Sequence, residues 1–368
     1  EQIITEDYNN LGHPMIKVAI MLNSNYLGIW NIEGSYMKDS PLLFADYNRD
    51  GIQEIFTLFR KNDSIFLSGI DYRKDESYLL NALFITTTRF YHGKTDLKVD
   101  RVGEQDLNGD GYNEVYFTLD AGFSMRPRAL FAVDIKNKEV HTSPKAVLRF
   151  TGIVMKDITG DGSKEILAST HASDNYRDTS NFPYKDTNNW LMVFDKKLDF
   201  LFDPVKFGGA PSQLKVYPYT GDSGSLVSCL FISLAENHEK QIRFCLYTPK
   251  GKKVIERELL DLRGIKPDTR FVHLIKRKNW KELFLATRNG QVIYFNKNLI
   301  PIDRKHLDTR KTVAFHYKDV YPIWPGNEII IPHARGFLIT DGSFEKQLSA
   351  QTRENAKGIY EISSFRKD

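Results

Sequence analysis

One pattern occurs three times in this chain: Asp46-Tyr-Asn48-Arg-Asp50-Gly51-Ile52-Gln-Glu54, Asp106-Leu-Asn108-Gly-Asp110-Gly111-Tyr112-Asn-Glu114 and Asp157-Ile-Thr159-Gly-Asp161-Gly162-Ser163-Lys-Glu165. Each copy fits D-x-[N/T]-x-D-G-x-x-E and runs into apolar residues, and the copies lie 60 and 51 residues apart. Self-similarity at such a period means that the fold repeats one supersecondary unit, which limits the architecture more than any bulk property does. Degenerate copies extend the series. Thr220-Gly221-Asp222 leads into Leu226–Phe231, Lys281–Thr287 echoes Lys164–Thr170, and Asn327–Ile331 is a sixth copy.

The surroundings of each copy are alike. A short apolar stretch precedes the loop and a β-branched or aromatic run follows it. A turn and another strand come next, as in Ser64–Ile70 or Gln291–Phe295, and a polar turn leads to a last strand, as in Phe194–Leu201. Period-2 alternation with frequent turn residues argues for strands. Four strands per unit of this length predict an all-β fold, a seven-bladed β-propeller with four-stranded blades in a single domain, 1–368. The blades fall at about 41–97, 98–150, 151–212, 213–268, 269–313 and 314–357. A seventh is assembled from 358–368 and 13–40. In this reading Ile16–Leu22 and Leu27–Ile32 are second and third strands lacking their own first strand, and Gly358–Phe365 supplies it. That joins the N- and C-terminal strands and closes the ring without a long open sheet edge. A six-bladed ring with flanking extensions is the alternative.

The loops have the chemistry of a calcium site. Calcium takes six to eight oxygen ligands, and alternate residues of a tight turn can surround one ion. Positions 1, 3 and 5 offer side-chain oxygens, position 7 its backbone carbonyl and position 9 a carboxylate, while glycine at position 6 lets the chain reverse. The candidate ligands are Asp46, Asn48, Asp50, Ile52 and Glu54; Asp106, Asn108, Asp110, Tyr112 and Glu114; and Asp157, Thr159, Asp161, Ser163 and Glu165. An EF-hand begins the same way but needs an acidic residue at position 12. Thr57, Phe117 and Ala168 stand there, and the flanks read as strands.

These three copies resemble the FG-GAP or VCBS repeats that form the blades of integrin-α-type propellers. The resemblance covers the whole chain as architecture and three loops as motif. It implies a Ca2+ ion between the first and second strands of each intact blade, hence two or three ions per chain. Thr159 is a weaker ligand than Asn or Asp, so the third loop is expected to bind least tightly. The copies near Asp222, Glu282 and Glu328 lack positions 1 and 3 and are expected to bind none. The expected role of the ions is to relieve repulsion between crowded carboxylates and so raise stability.

If these loops occupy one rim, the loops joining second and third strands occupy the other. Two of those are long and carry Arg126, Arg128, His171, Tyr176, Arg177 and Trp190; shorter ones carry Arg288, His333 and Arg335. Such side chains suit an anion, a carbohydrate or a protein as ligand. The sequence holds no G-x-S-x-G, H-E-x-x-H or P-loop motif, so no catalytic residue is assigned. With 51 basic against 47 acidic residues, bulk charge gives no support to nucleic-acid binding. No run of 18 apolar residues occurs, and the first residues lack a signal pattern and an initiating Met, as expected of a piece of a longer, tethered protein. Propellers of the family this chain resembles occur as extracytoplasmic domains, which implies a periplasmic or extracellular sensor. The alternatives are an adhesion or surface scaffold and a glycan-active hydrolase or lyase. Cys229 and Cys245 exclude a disulfide framework, and read either as two buried thiols or as one bond.

Overall fold

The computed structural model describes residues 2–23, 25–37, 42–73, 78–87, 97–121, 128–174, 182–221, 224–233, 242–258, 283–286, 291–295, 300–306, 316–318, 328–333, 336–340 and 347–351. Among them the long elements are all strands, every strand pair is antiparallel, and no helix is long and apolar enough to cross a membrane. The chain forms two compact units, residues 1–216 with 249–251, and residues 217–248 with 252–368.

The first unit opens with β1 (Gln2–Asn10), β2 (His13–Leu22) and β3 (Asn25–Glu33), with β2 in the middle. Leu11 and Gly12 join β1 to β2 with φ of 51° and 89°, the two left-handed residues of a tight hairpin turn. The expectation that the Ile16 segment lacks a first strand of its own is therefore corrected: β1 pairs with β2 from Gln2↔Met21 to Asn10↔His13. Its sequence hid it because residues 4–7 are exposed, so no apolar alternation marks the strand. The segment expected to fill that place, 358–368, lies outside the described residues.

Next come β4 (Ser35–Tyr36) and β5 (Leu43–Ala45), which pair in turn along β6 (Glu54–Lys61), followed by β7 (Ser64–Ile70) and β8 (Tyr78–Thr87). A meander of β9 (Leu97–Gln105), β10 (Glu114–Ala121), β11 (Ala129–Asp134) and β12 (Glu139–Thr142) follows. The fourth sheet holds β13 (Arg149–Lys156), β14 (Glu165–Ala172), β15 (Asn188–Phe194) and β16 (Val205–Gly209). Beside β14 the sheet forks. Ile166–Ala168 pair with β15, while Thr170–Ala172 pair with the start of β17 (Ser212–Gly221).

Side-chain alternation stacks these four sheets face to face in chain order. On β6, Ile55 and Phe59 pack with Ile16, Val18, Trp30 and Ile32 of the first sheet. The neighbouring residues Phe56 and Leu58 pack on the other face with Val115, Phe117 and Phe131 of the third. On β11, Leu130 and Ala132 turn the opposite way, toward Phe150, Ile166, Met192 and Phe194 of the fourth. Inner strands thus bury both faces, which explains why β6 and β11 read as nearly continuous apolar runs, and why β14 buries Ser169 and Thr170 along with its apolar residues. Each such Phe contributes roughly 2–3 kcal/mol of apolar burial.

In the second unit β17 continues beside β18 (Gly224–Ser233), β19 (Ile242–Tyr247) and β20 (Lys253–Glu258). Leu230, Ile232, Phe244 and Leu246 pack against Ile293 and Phe295 of the sheet β21 (Leu283–Ala286), β22 (Gln291–Phe295), β23 (Pro301–His306). The last sheet is β24 (His316–Lys318), β25 (Glu328–His333), β26 (Gly336–Thr340) and β27 (Gln347–Gln351). Cys229 and Cys245 face each other across β18 and β19, both buried and free. Burial raises both thiols, Cys245 to about 12.

Candidate metal-binding loops

The three acidic motifs occupy equivalent places, the turns from β5 to β6, from β9 to β10 and from β13 to β14. Their backbones match as well. Position 4 (Arg49, Gly109, Gly160) and position 6 (Gly51, Gly111, Gly162) all have positive φ, and the position-6 values are 88°, 88° and 89°. Glycine relieves this conformation at five of the six places, and Arg49 bears it at a cost of about 1 kcal/mol.

The side chains satisfy the turn. At position 1, Asp46, Asp106 and Asp157 each accept the N–H of the position-6 glycine, at 2.9, 3.1 and 3.0 Å. At position 5, Asp50, Asp110 and Asp161 accept the N–H of position 7, which belongs to Ile52, Tyr112 and Ser163, at 3.0, 2.9 and 2.8 Å. At position 9, Glu54, Glu114 and Glu165 fold back to accept the N–H of position 2 at 3.2, 2.7 and 2.8 Å. Asn108 Nδ2 and Thr159 Oγ1 add a second bond to Glu114 and Glu165. Asn48 instead donates to Asp50.

Successive loops are tied by a repeated backbone rung. Asn113 N–H donates to the Tyr47 carbonyl at 2.7 Å, and Lys164 N–H to the Leu107 carbonyl at 2.9 Å, position 8 to position 2 in both cases. Asn113 Nδ2 also donates to the Asp46 carbonyl, and Arg49 pairs with Asp106 at 3.2 Å. The three turns therefore lie side by side at one end of their stacked sheets.

Electrostatics separate loops that the motif makes alike. Burial raises the Glu114 carboxyl to about 7, against the pull of the Leu107 N–H. Burial likewise raises Glu54, whereas the Arg73 guanidinium holds Asp50 below the usual range. The Gly160 N–H lowers Asp157. Three basic residues that sequence reasoning passed over reach these loops from the turn after the third strand. Arg73 binds Asp50 and Glu54, Lys136 binds Asp110 at 2.9 Å, and Lys196 donates to Ser163 Oγ at 3.2 Å. A signal existed: Asp71-Tyr72-Arg73, Asp134-Ile135-Lys136 and Asp195-Lys196 recur at the same point of the repeat. Tested against an oxygen-seeking cation, the third loop fits, since Asp157, Asp161 and Glu165 bring carboxylate oxygens within 4.8 Å of one another. The first does not fit as it stands, because a guanidinium already bridges its carboxylates.

Of the other expected ligand-binding residues, three have described side chains. Arg128 is buried and donates to the Val147 carbonyl at 2.8 Å. Trp190 Nε1 donates to the Lys185 carbonyl, and its ring meets Tyr184 edge-on. His171 lies near the far end of β14 from Glu165, about 20 Å along an extended strand. Burial, then Arg149, Lys215 and Arg128, lower its pKa. Arg126, Tyr176, Arg177, Arg288 and Arg335 lie outside the described residues, and His333 is described as backbone at the end of β25.

No family model and no curated protein matches the chain. Among solved structures it is similar to the exotype rhamnogalacturonan lyase YesX, at 11% identity and a TM-score of 0.45 over 94% of this chain, and spans 58% of that chain. It is similar to the Dos1 propeller at 13% identity and a TM-score of 0.44, covering 94% of this chain and 84% of that one. The Saccharomyces cerevisiae protein Sqt1 gives 7% identity and a TM-score of 0.46, covering 91% and 79%. Identities of 13% or less and TM-scores below 0.5 leave the function to be argued from the chain's own residues.

Proposed function

We propose that this chain is a calcium-stabilised β-propeller of the FG-GAP/VCBS kind that serves as an extracytoplasmic ligand-binding sensor module. The observation that carries the reading is the set of three acidic turns that share the same three side-chain-to-backbone hydrogen bonds, side by side on successive stacked sheets and tied by backbone rungs. Stacking of consecutive antiparallel meanders through both faces is how propeller blades pack. Among the described residues seven sheet segments follow in chain order, with β13–β16 and β17–β20 counted apart, which supports the seven-bladed reading. Asp157, Asp161 and Glu165 would hold the ion, with the Ser163 carbonyl and Thr159 as neutral donors. Bound calcium supplies charge neutralisation, and the chain's residues fix the turn. A loop with so few charges suits the high calcium levels outside the cytoplasm. The ligand face is the opposite end of the sheets, where the positive charge of Arg149, Lys215 and the buried Arg128 acts on His171 against the carboxylate of Asp186, and Arg149 pairs with Asp100 at 3.4 Å. An anionic carbohydrate fits that charge.

Calorimetric titration of chelator-stripped protein, with thermal melting, tests the reading. Calcium is expected to bind and raise the melting temperature, and Asp161→Asn to lose an ion. Absence of heat and of a shift at millimolar calcium refutes the metal assignment. The sensor face is tested by melting shifts with uronic-acid oligosaccharides, which Arg149→Ala is expected to abolish.

A further inference from the structure

We propose that the guanidinium of Arg73 is the resident cation of the first acidic loop and keeps calcium out of it. The inference deepens the calcium reading above and rests on it where the other loops are concerned.

Arg73 leaves the turn after β7 at the same end of the sheet as residues 46–54. Its Nη1 donates to Asp50 Oδ2 at 2.7 Å, its Nη2 to Glu54 Oε1 at 2.9 Å and its Nε to Asp71 Oδ1 at 2.9 Å. One planar fork thus joins three carboxylates, two from the acidic turn and one from its own turn after β7. Asp50 and Glu54 are positions 5 and 9 of the motif, two of the three carboxylates that a metal ion in this turn must share. Asp71 and Glu54 are 2% and 1% exposed, so water offers them little replacement for the guanidinium.

A guanidinium cannot shed its charge by losing a proton. A calcium ion in the same turn would meet that charge at contact distance and take over two charge-assisted hydrogen bonds, which makes co-occupancy unfavourable. The other loops form a graded series. Lys136 pairs with one carboxylate, Asp110, and lies 4.1 Å from the centre of the Tyr112 ring. Lys196 reaches only Ser163, and among the described residues no basic side chain is hydrogen-bonded to Asp157, Asp161 or Glu165. The cation from the neighbouring turn, rather than the position-3 ligand, then decides which loop takes metal. The order expected from Thr159 is reversed, with the third loop binding most tightly.

The test compares wild type, Asp50→Asn, Asp161→Asn, Arg73→Gln and Arg73→Lys by calcium calorimetry and by melting in chelator. Asp50→Asn is expected to leave the calcium stoichiometry unchanged, and Asp161→Asn to lower it by one. Arg73→Gln is expected to gain one ion, to melt at least about 2 °C below wild type in chelator, and to recover with calcium. Loss of an ion in Asp50→Asn overturns the proposal, because calcium would then occupy the first loop despite Arg73. So does an Arg73→Gln protein that neither gains an ion nor melts lower. If Arg73→Gln does not fold, Asp50→Asn decides alone. If neither wild type nor Arg73→Gln binds calcium, the calcium reading fails. The chelator melts then decide the role of Arg73, supported by the order wild type, Arg73→Lys, Arg73→Gln and overturned by three equal midpoints.

Discussion

The fork beside β14 is held by one buried amide, and removing it is the sharpest test of the fold. Asn189 has no exposed surface, and its Nδ2 donates to the Ser212 carbonyl at 3.0 Å and to Ser212 Oγ at 3.3 Å. Its Oδ1 accepts from Trp190 N–H at 3.1 Å and from Thr170 Oγ1. Thr170 and Ser212 are themselves fully buried. Asn189→Ala leaves Thr170 its bond to the Trp190 carbonyl, but takes the partner from one buried N–H and one buried carbonyl. At about 1–3 kcal/mol for each stranded group, the loss is about 2–6 kcal/mol. Asn189→Asp keeps the shape, yet sets a carboxylate oxygen against the Ser212 carbonyl, so it is expected to cost at least as much. Urea unfolding measures the loss. Hydrogen exchange at the Trp190 amide localises it, since protection there should collapse while the β9–β12 sheet keeps its own. An Asn189→Ala protein within about 0.5 kcal/mol of wild type, with Trp190 still protected, refutes the claim that this amide holds the fork.

Two further outcomes follow from buried titratable groups. His171 has a folded pKa below its ordinary value, so the unfolded chain takes up the proton more readily. The contribution of His171 to stability should be flat above about pH 6.5 and should fall as the pH drops through the window below it, and the difference between wild type and His171→Gln melts at pH 7.5 and 5.5 should show that fall, apart from the opposite trend of the raised Glu114. Cys229 and Cys245 are buried and raised far above neutrality, so a thiol-reactive dye should label neither in native protein and both in denaturant. Rapid native labelling would contradict the placement of β18 and β19.

The acidic turns were legible because Asp, Asn and Gly at alternate positions have few other uses in so short a stretch. The inner strands were legible because Ile55–Phe59 and Ala129–Val133 bury both faces. What stayed hidden has physical causes. β1 is an exposed, largely polar strand, paired among the described residues with β2, and its local mark is the Leu11-Gly12 turn. Arg73 meets Asp50 and Glu54 from 23 and 19 residues away through side-chain reach, and its sequence mark is the recurring acidic–basic turn after the third strand. The fork depends on where β15 leaves β14, which register decides and hydrophobic pattern does not.

The rungs between neighbouring turns use only main-chain atoms, from Asn113 to Tyr47 and from Lys164 to Leu107. They survive any substitution that preserves the turn, so the bond between repeats is separate from the chemistry each repeat carries. A copy that lost its carboxylates but kept the turn would still be welded to its neighbours by the same peptide groups. Such a joint lets the acidic side chains of each turn change one repeat at a time. The single residue the joint forbids is proline at position 8, which has no N–H to give.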